Sequence, residues 1–524
     1  MYIDIIKKIS TFLLVSTCFV VVFLILYQFE NKHFLQNEIT PWDGSIFKNL
    51  ILTLNDKSHE IIQFQFIEPH SSKLLFIVLV NFIKNYFELT IVNAMFWINI
   101  VCTYLLFLIT FYFLGYFKKK IIIQLILTTC FFLMWNTQLR FSIYMPSYAF
   151  AFNTLLITLS TMSIFFLIEK KFYLFLTVIP FVILIAFQRY MVISSIILSS
   201  LVFFYLINNA IQNKYLLFIK KFLNFKKAQN LKLVKKRLLL LLIVIFLCVF
   251  FLKSISLDGG EFSFLKIIIK FFIFHLHPLE FLYSFYFAYG PLIIILIPNL
   301  FIASLRKNLF SYLSKISSIK KIIMVSIFIN SILLANLGGD DSHRFLLWFS
   351  PWYVLVFYFA ILSILKNYKI SFILILIPVY IFGARLLVPG IPVYNFNEIF
   401  LAKSQYAFTN FDDNLFYGPS FLKKFRKEIE IVKVDITPEY YPEKTKTIRV
   451  GVQVGSISNP NIYRQPYRYR INDIPFPLGY IHNQKNALID HPWHGKVWVR
   501  FILIIQWLLI QILYIIILKR NEKK

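Results

Sequence analysis

Apolar runs of about 20 residues, the length that carries an α-helix across the hydrocarbon of a bilayer, recur along the whole of this chain. Only helices or closed barrels satisfy their backbone N–H and C=O groups in lipid. These runs are continuous rather than alternating, so helices are expected. The spans read as 5–27, 88–117, 121–137, 148–168, 172–187, 191–207, 238–256, 286–304, 322–337, 346–365, 370–387 and 499–518. The fold class is therefore an all-α polytopic membrane protein of about 12 transmembrane helices, with a small extracytoplasmic mixed or β-rich segment before the last helix. A chain of 524 residues that is 59% hydrophobic, with a mean hydropathy of +0.70, is too apolar for a soluble fold.

The hydrophilic gaps sort by residue type. On one side fall Lys7-Lys8, Lys118 to Lys120, Lys170-Lys171, the block from Lys214 to Arg237, the block from Arg306 to Lys321, Lys366 with Lys369, and the tail Lys519, Arg520, Lys523 and Lys524. Against these cations stand only Asp4, Glu169 and Glu522. The positive-inside rule makes this side cytoplasmic and puts both termini there. The opposite side carries all 9 histidines. The formal charge of +29 is thus cut into short blocks between apolar runs, and no soluble basic domain exists to bind nucleic acid.

The four cysteines, Cys18, Cys102, Cys130 and Cys248, lie inside apolar runs with no close pair, which indicates neither a disulfide framework nor a zinc site. The first run follows Lys7 and Lys8 as in a signal peptide, but no small-residue cleavage pattern follows it, so a retained signal-anchor helix is expected. Heavy use of Phe, Ile, Lys and Asn looks like AT-rich coding bias and suggests a bacterial inner membrane.

Residues 1–387 form the membrane domain, with long external loops at 28–87 and 257–285. Residues 388–498 form the extracytoplasmic segment, and 499–524 the last span and basic tail. In the first loop, Ser45 to Leu54 and Leu74 to Ile83 are amphipathic and expected at the interface, as is Phe262 to Phe274 in the second. Ile429 to Ile436 and Thr447 to Val454 alternate with the two-residue period of strands.

The candidate chemistry lies on the external side. Asp43, within Pro41-Trp42-Asp43-Gly44-Ser45-Ile46-Phe47, has two compatible readings. It can cap the amphipathic helix that follows, or act as a general base at the membrane surface, where partial desolvation raises its basicity. The short external gaps each hold one arginine and no lysine: Arg140, Arg189 and Arg344. A cation at the membrane edge is costly unless solvated or paired, and guanidinium forks onto phosphate oxygens, which sit at that depth. Each arginine alone can simply snorkel to the headgroups; three on one face favour a lipid phosphate. The gap Gly338 to Arg344 also holds Asp340 and Asp341, with two readings: a divalent cation between the carboxylates, or an ion pair of Asp341 with Arg344. His275, His277, His491 and His494 read as interfacial residues.

The Asp43-Gly44-Ser45-Ile46-Phe47 stretch after the first span resembles the GT-C superfamily of membrane glycosyltransferases, which use polyprenyl-phosphate-linked sugars as donors. The resemblance implies that Asp43 is the catalytic carboxylate. It also implies contacts to sugar or phosphate from His70 and Lys73, in Glu68-Pro69-His70-Ser71-Ser72-Lys73, where many relatives carry an arginine that this chain lacks. The implied partners are a polyprenyl-phosphate-linked sugar, a glycan, lipid or protein acceptor, and membrane lipids. No nucleotide-binding loop is present, and a divalent cation is the one candidate cofactor.

Two other classes stay open. A transporter or flippase shares the count of twelve helices, the internal termini and the basic segment 208–237, but no carboxylate lies at a membrane centre to couple ions. A polysaccharide polymerase or ligase acting on undecaprenyl-diphosphate-linked glycans shares the external arginines.

Overall fold

The computed structural model describes residues 2–29, 33–36, 74–133, 137–144, 146–147, 149–210, 231–255, 292–337, 342–369, 429–434, 449–454 and 497–522, with isolated positions at 38, 40, 47–48, 50–52, 285 and 288–289. Among the described residues, six helices are long and apolar enough to cross a membrane, or seven if one bent pair counts as a span. The protein is, to that extent, an α-helical membrane protein. Expected span 370–387 and nearly all of loop 257–285 lie outside the described residues.

The described helices are α1 (Tyr2–Phe29), α2 (His33–Gln36), α3 (Leu74–Tyr86), α4 (Ile91–Phe117), α5 (Ile121–Leu133), α6 (Gln138–Tyr144), α7 (Phe150–Leu167), α8 (Phe172–Leu176), α9 (Val178–Ala210), α10 (Leu231–Ile255), α11 (Leu292–Phe301), α12 (Ala303–Ser314), α13 (Ser318–Leu337), α14 (Ser342–Leu347), α15 (Ser350–Asn367) and, after two strands, α16 (Val497–Glu522). α9 packs on α7, α10 and α13, α4 lies against α3 and α7, and α15 against α11 and α12.

The runs expected at 172–187 and 191–207 are two helical stretches that meet at Arg189, whose φ of −157° and ψ of 59° are non-helical, so α9 is kinked there. The run 286–304 yields a short α11 that turns by 106° into α12, with Ile302 extended at the junction. Of the run 121–137, α5 occupies Ile121–Leu133, and 134–136 lie outside the described residues. Hydropathy marks where a run is apolar, not where its axis turns.

The amphipathic stretch expected at 74–83 is α3, and it is built into the bundle on one face. Phe76, Ile77 and Val80 are buried while Val78, Phe82 and Tyr86 are exposed. Of the segment before α16, strands β1 (Ile429–Val434) and β2 (Arg449–Val454) pair antiparallel, Ile429 opposite Val454 and Val434 opposite Arg449.

Large aromatic side chains fill the centre. Trp352 is fully buried, with its ring centroid 5.1 Å from those of Phe113 and Phe165, and its indole N–H donates to Thr161 Oγ1 at 3.0 Å. That bond satisfies a donor that hydrocarbon would leave unpaired. Exposed Leu, Ile and Phe on α1, α9, α10 and α16 form the outer faces of these helices, as lipid requires. The four cysteines are free thiols.

The two ends of α7 set the frame. At its C-terminal end Arg237 donates to the carbonyls of Ile168 and Lys170, and Lys320 Nζ lies 5.2 Å from the Phe165 ring centroid and 5.5 Å from that of Phe166. Nearby, Ser317 Oγ hydrogen-bonds Glu169 Oε2 at 2.9 Å, and Lys118 Nζ meets Tyr312 OH at 3.2 Å. The lysine-bearing gaps at 118–120, 168–171, 231–237 and 314–321 thus gather at one end. α1 runs antiparallel to α4, with Ser16 Oγ 2.8 Å from Tyr104 OH and Tyr27 facing Phe96, so its N-terminal turn points toward this end. The 18 residues of α7 span about 27 Å, close to the hydrocarbon thickness.

Candidate functional site at the arginine-bearing end

The opposite end of α7 is assembled by two buried glutamines. Gln188 is fully buried; its Oε1 accepts the Phe76 N–H at 3.1 Å and its Nε2 donates to Asn153 Oδ1 at 2.9 Å. The Phe76 N–H belongs to the first turn of α3, where backbone donors have no intrahelical acceptor. Gln188 therefore satisfies one first-turn donor of α3 and fixes the start of α3 beside the break in α9. Gln138, also fully buried, donates from Nε2 to the Leu347 carbonyl at 3.0 Å and to Ser350 Oγ at 3.1 Å. It joins α6 to the turn between α14 and α15.

That turn has a local cause. The Trp348 N–H still bonds the Arg344 carbonyl at 3.1 Å in helical spacing, while the Phe349 N–H tightens onto Leu346 at 3.1 Å. Pro351 then opens α15, its missing N–H costing nothing in a first turn. Arg344 and Trp348 consequently share one face, a single turn apart.

Two arginines from distant gaps meet on this turn. The Arg189 guanidinium lies over the Trp348 ring, 5.0 Å from its centroid, and the Arg344 guanidinium lies 5.8 Å from the Phe141 centroid. Phe141 adjoins Arg140 in α6, so the backbone of Arg140 belongs to the same cluster; the Arg140 side chain is outside the described residues. The negative face of an aromatic ring attracts a guanidinium at this distance and helps fix its place. Arg189 and Arg344 are half-buried, whereas Trp348 is 5% exposed. The Trp348 Nε1 donor is buried and makes no hydrogen bond among the described residues.

The first loop reaches the same place. Phe47, 1% exposed, lies 6.2 Å from Phe76, and Phe76 lies 5.5 Å from Phe152. Phe47 closes the motif that contains Asp43, so the end of that motif sits one aromatic contact from the capped start of α3.

Asp43, His70, Lys73, Asp340 and Asp341 are outside the described residues, as are His275, His277, His491 and His494. Among the described residues no group of three His, Cys, Asp or Glu side chains is arranged to hold a metal ion. Gln138, Gln188 and Trp348 are the site residues that sequence reasoning missed. Their available signal was polarity: each amide interrupts an otherwise apolar context beside a gap.

Two guanidinium groups and an indole N–H come to one turn, and these are donor types that recognise an anion. Comparison of the chain with protein-family models, curated proteins and solved structures finds no match.

Proposed function

We propose that this protein is a membrane glycosyltransferase that moves a sugar from a polyprenyl-phosphate donor to an acceptor on the extracytoplasmic face of a bacterial inner membrane. The reading uses twelve spans, cytoplasmic termini at the lysine-rich end, and an external segment 388–498. The observation that carries it is the meeting of Arg189 and Arg344 on the Trp348 turn, about 27 Å from the lysine-rich end and therefore at the depth of lipid phosphates.

In the proposed reaction an acceptor oxygen attacks the anomeric carbon, the bond from that carbon to the phosphate oxygen breaks, and Asp43 takes the acceptor proton. Arg189 and Arg344, with Arg140, hold the charge that grows on the departing polyprenyl phosphate. Each charged hydrogen bond contributes on the order of 1.5 to 3 kcal/mol, so two or three suffice to position the group. His70 and Lys73, just ahead of the Gln188-capped start of α3, are assigned to the sugar or phosphate. A divalent cation at Asp340 and Asp341 remains a candidate, and no step is routed through it.

The test uses full-length protein in liposomes. Binding of undecaprenyl phosphate is measured first, then release of that phosphate from a panel of polyprenyl-phosphate sugars in the presence of acceptor. Arg189→Gln with Arg344→Gln should lower binding by at least about a hundred-fold, and Asp43→Asn should abolish turnover while leaving binding intact. Wild-type affinity in the arginine double variant defeats the reading. So does counterflow of a labelled solute in liposomes that contain no lipid-linked sugar, which is the behaviour of a transporter.

A further inference from the structure

The lysine-rich end contains a second built arrangement, on α12. This helix leaves α11 at 106°, so with α11 along the membrane normal it lies nearly in the plane of the interface. Its inner face is fixed to α15: the Leu305 carbonyl accepts from Ser363 Oγ at 2.7 Å, Asn308 Nδ2 donates to Asn367 Oδ1 at 3.1 Å, and Lys366 Nζ donates to Asn308 Oδ1 at 3.0 Å. Its outer face shows Arg306, Lys307 and Phe310, the last 44% exposed, and the preceding turn shows Phe301. Cations flanking an exposed aromatic on a helix held parallel to a surface are the pattern of an interfacial helix.

Two ammonium groups from separate gaps are drawn together beside it. Lys118, from the α4–α5 gap, donates to Tyr312 OH at 3.2 Å and lies 5.3 Å from the Tyr312 ring centroid. Lys315, at the end of α12, lies 5.9 Å from the same centroid. Tyr312 itself is stacked on Phe359, centroids 5.9 Å apart and rings within 2° of parallel, which fixes its position. Both lysines are exposed and share one ring. Two cations beside one ring make a local positive potential that favours an anion. The described carboxylate nearest in the network, Glu169, accepts from Ser317 Oγ.

We propose that Lys118, Lys315 and Tyr312, extended by Arg306 and Lys307 of α12, form a binding site for the phosphate of an anionic phospholipid on the lysine-rich side. The occupant is a membrane lipid rather than free phosphate, because exposed Phe301 and Phe310 adjoin the cations and match the acyl boundary. The site is at the opposite end of the bundle from the arginine cluster, and holds whatever the protein catalyses.

The test is lipid retention by the full-length protein in nanodiscs of mixed phosphatidylglycerol and phosphatidylcholine, read by native mass spectrometry after release. Wild-type protein should retain phosphatidylglycerol preferentially, and Lys118→Gln with Lys315→Gln should lower that preference roughly five-fold per ammonium removed. The preference should also fall as salt is raised to about 0.5 M, where the screening length is only a few ångströms. Lys119→Gln, in the same gap, should leave it unchanged. Equal thermal unfolding of the variants in pure phosphatidylcholine confirms that folding is intact; if the double variant unfolds, Tyr312→Phe, which keeps the stack and loses the Lys118 bond, takes its place. An unaltered preference in the variants, equal retention of phosphatidylcholine by wild type, or full displacement of the lipid by glycerophosphate overturns the proposal.

Discussion

The two ends of α7 hold cations in opposite ways. At the lysine-rich end Arg237 is 4% exposed, stacks over Phe175 at 5.0 Å, and donates to the carbonyls of Ile168 and Lys170. Those carbonyls close the C-terminus of a helix, where the macrodipole favours positive charge and the last acceptors have no intrahelical donor. At the other end Arg189 and Arg344 stand over aromatic rings at a helix break and at a turn, beside an indole donor that lacks an acceptor among the described residues. One guanidinium completes the fold, and the other two are positioned by it. Arg237 is tied to the carbonyls of a helix end, whereas Arg189 and Arg344 lie against aromatic rings.

The largest effect that would sharpen this contrast is at Arg237. Arg237→Leu keeps the apolar contact with Phe175 but leaves two carbonyls without their charged donor, at a cost of about 3 kcal/mol. The check is denaturant unfolding in detergent, with undecaprenyl phosphate affinity measured on the folded fraction. Affinity should be unchanged. A stable variant that loses affinity would show that the two ends are not separate in role.

Gln188 comes next, because it belongs to both fold and site. Gln188→Leu strands the Phe76 N–H and the Asn153 carbonyl oxygen, costing about 2 kcal/mol. It also frees the start of α3, so phosphate affinity should fall together with stability. A loss of stability with full affinity would detach α3, and with it Lys73 and His70, from the anion site.

The sequence displays the lysine-rich end openly because charge there is compositional: Lys118 to Lys120 or Arg306 to Lys321 are visible as blocks whatever their partners. The single arginines are legible for the same reason, each standing in a short polar gap. What joins them is not legible. Gln138 and Gln188 act across sequence separations of 209 and 112 residues, and a lone amide beside an apolar run carries no mark of the backbone group it will satisfy. Nor does the turn of α11 into α12 declare itself. Ile302 continues the apolar run, Pro298 sits four residues before the break inside α11, and the 106° angle follows from α12 burying Leu305 and Leu309 against α15. The break at Arg189, with helix on both sides, is readable as a polar gap between two apolar runs, but the partners that hold it, Asn153 and Phe76 on Gln188, are not.

A smaller effect is expected from Arg189→Lys. The charge is kept, while the planar stack on Trp348 and the forked donor set are lost, so affinity for undecaprenyl phosphate should fall about ten-fold with stability changed by less than about 1 kcal/mol. Isothermal titration in nanodiscs and thermal unfolding measure the two separately. Equal affinity of Lys and Arg would mean that a point charge suffices and that the geometry of the stack is incidental.

The finest test is Trp348→Phe. The ring that supports Arg189 is retained in reduced form, and the single group deleted is the buried Nε1 donor that has no acceptor among the described residues. Removing an unsatisfied buried donor relieves a desolvation penalty, so the unliganded variant should be no less stable than wild type apart from the volume lost with the indole. If the donor is kept for a ligand, affinity for undecaprenyl phosphate should nevertheless fall, by about five-fold, the worth of one net hydrogen bond of about 1 kcal/mol. Stability and affinity then move independently, and that is the signature separating a group retained for binding from one retained for packing. Unchanged affinity with raised stability would instead make the Trp348 N–H an unrelieved cost of the fold and leave the arginines alone at the site.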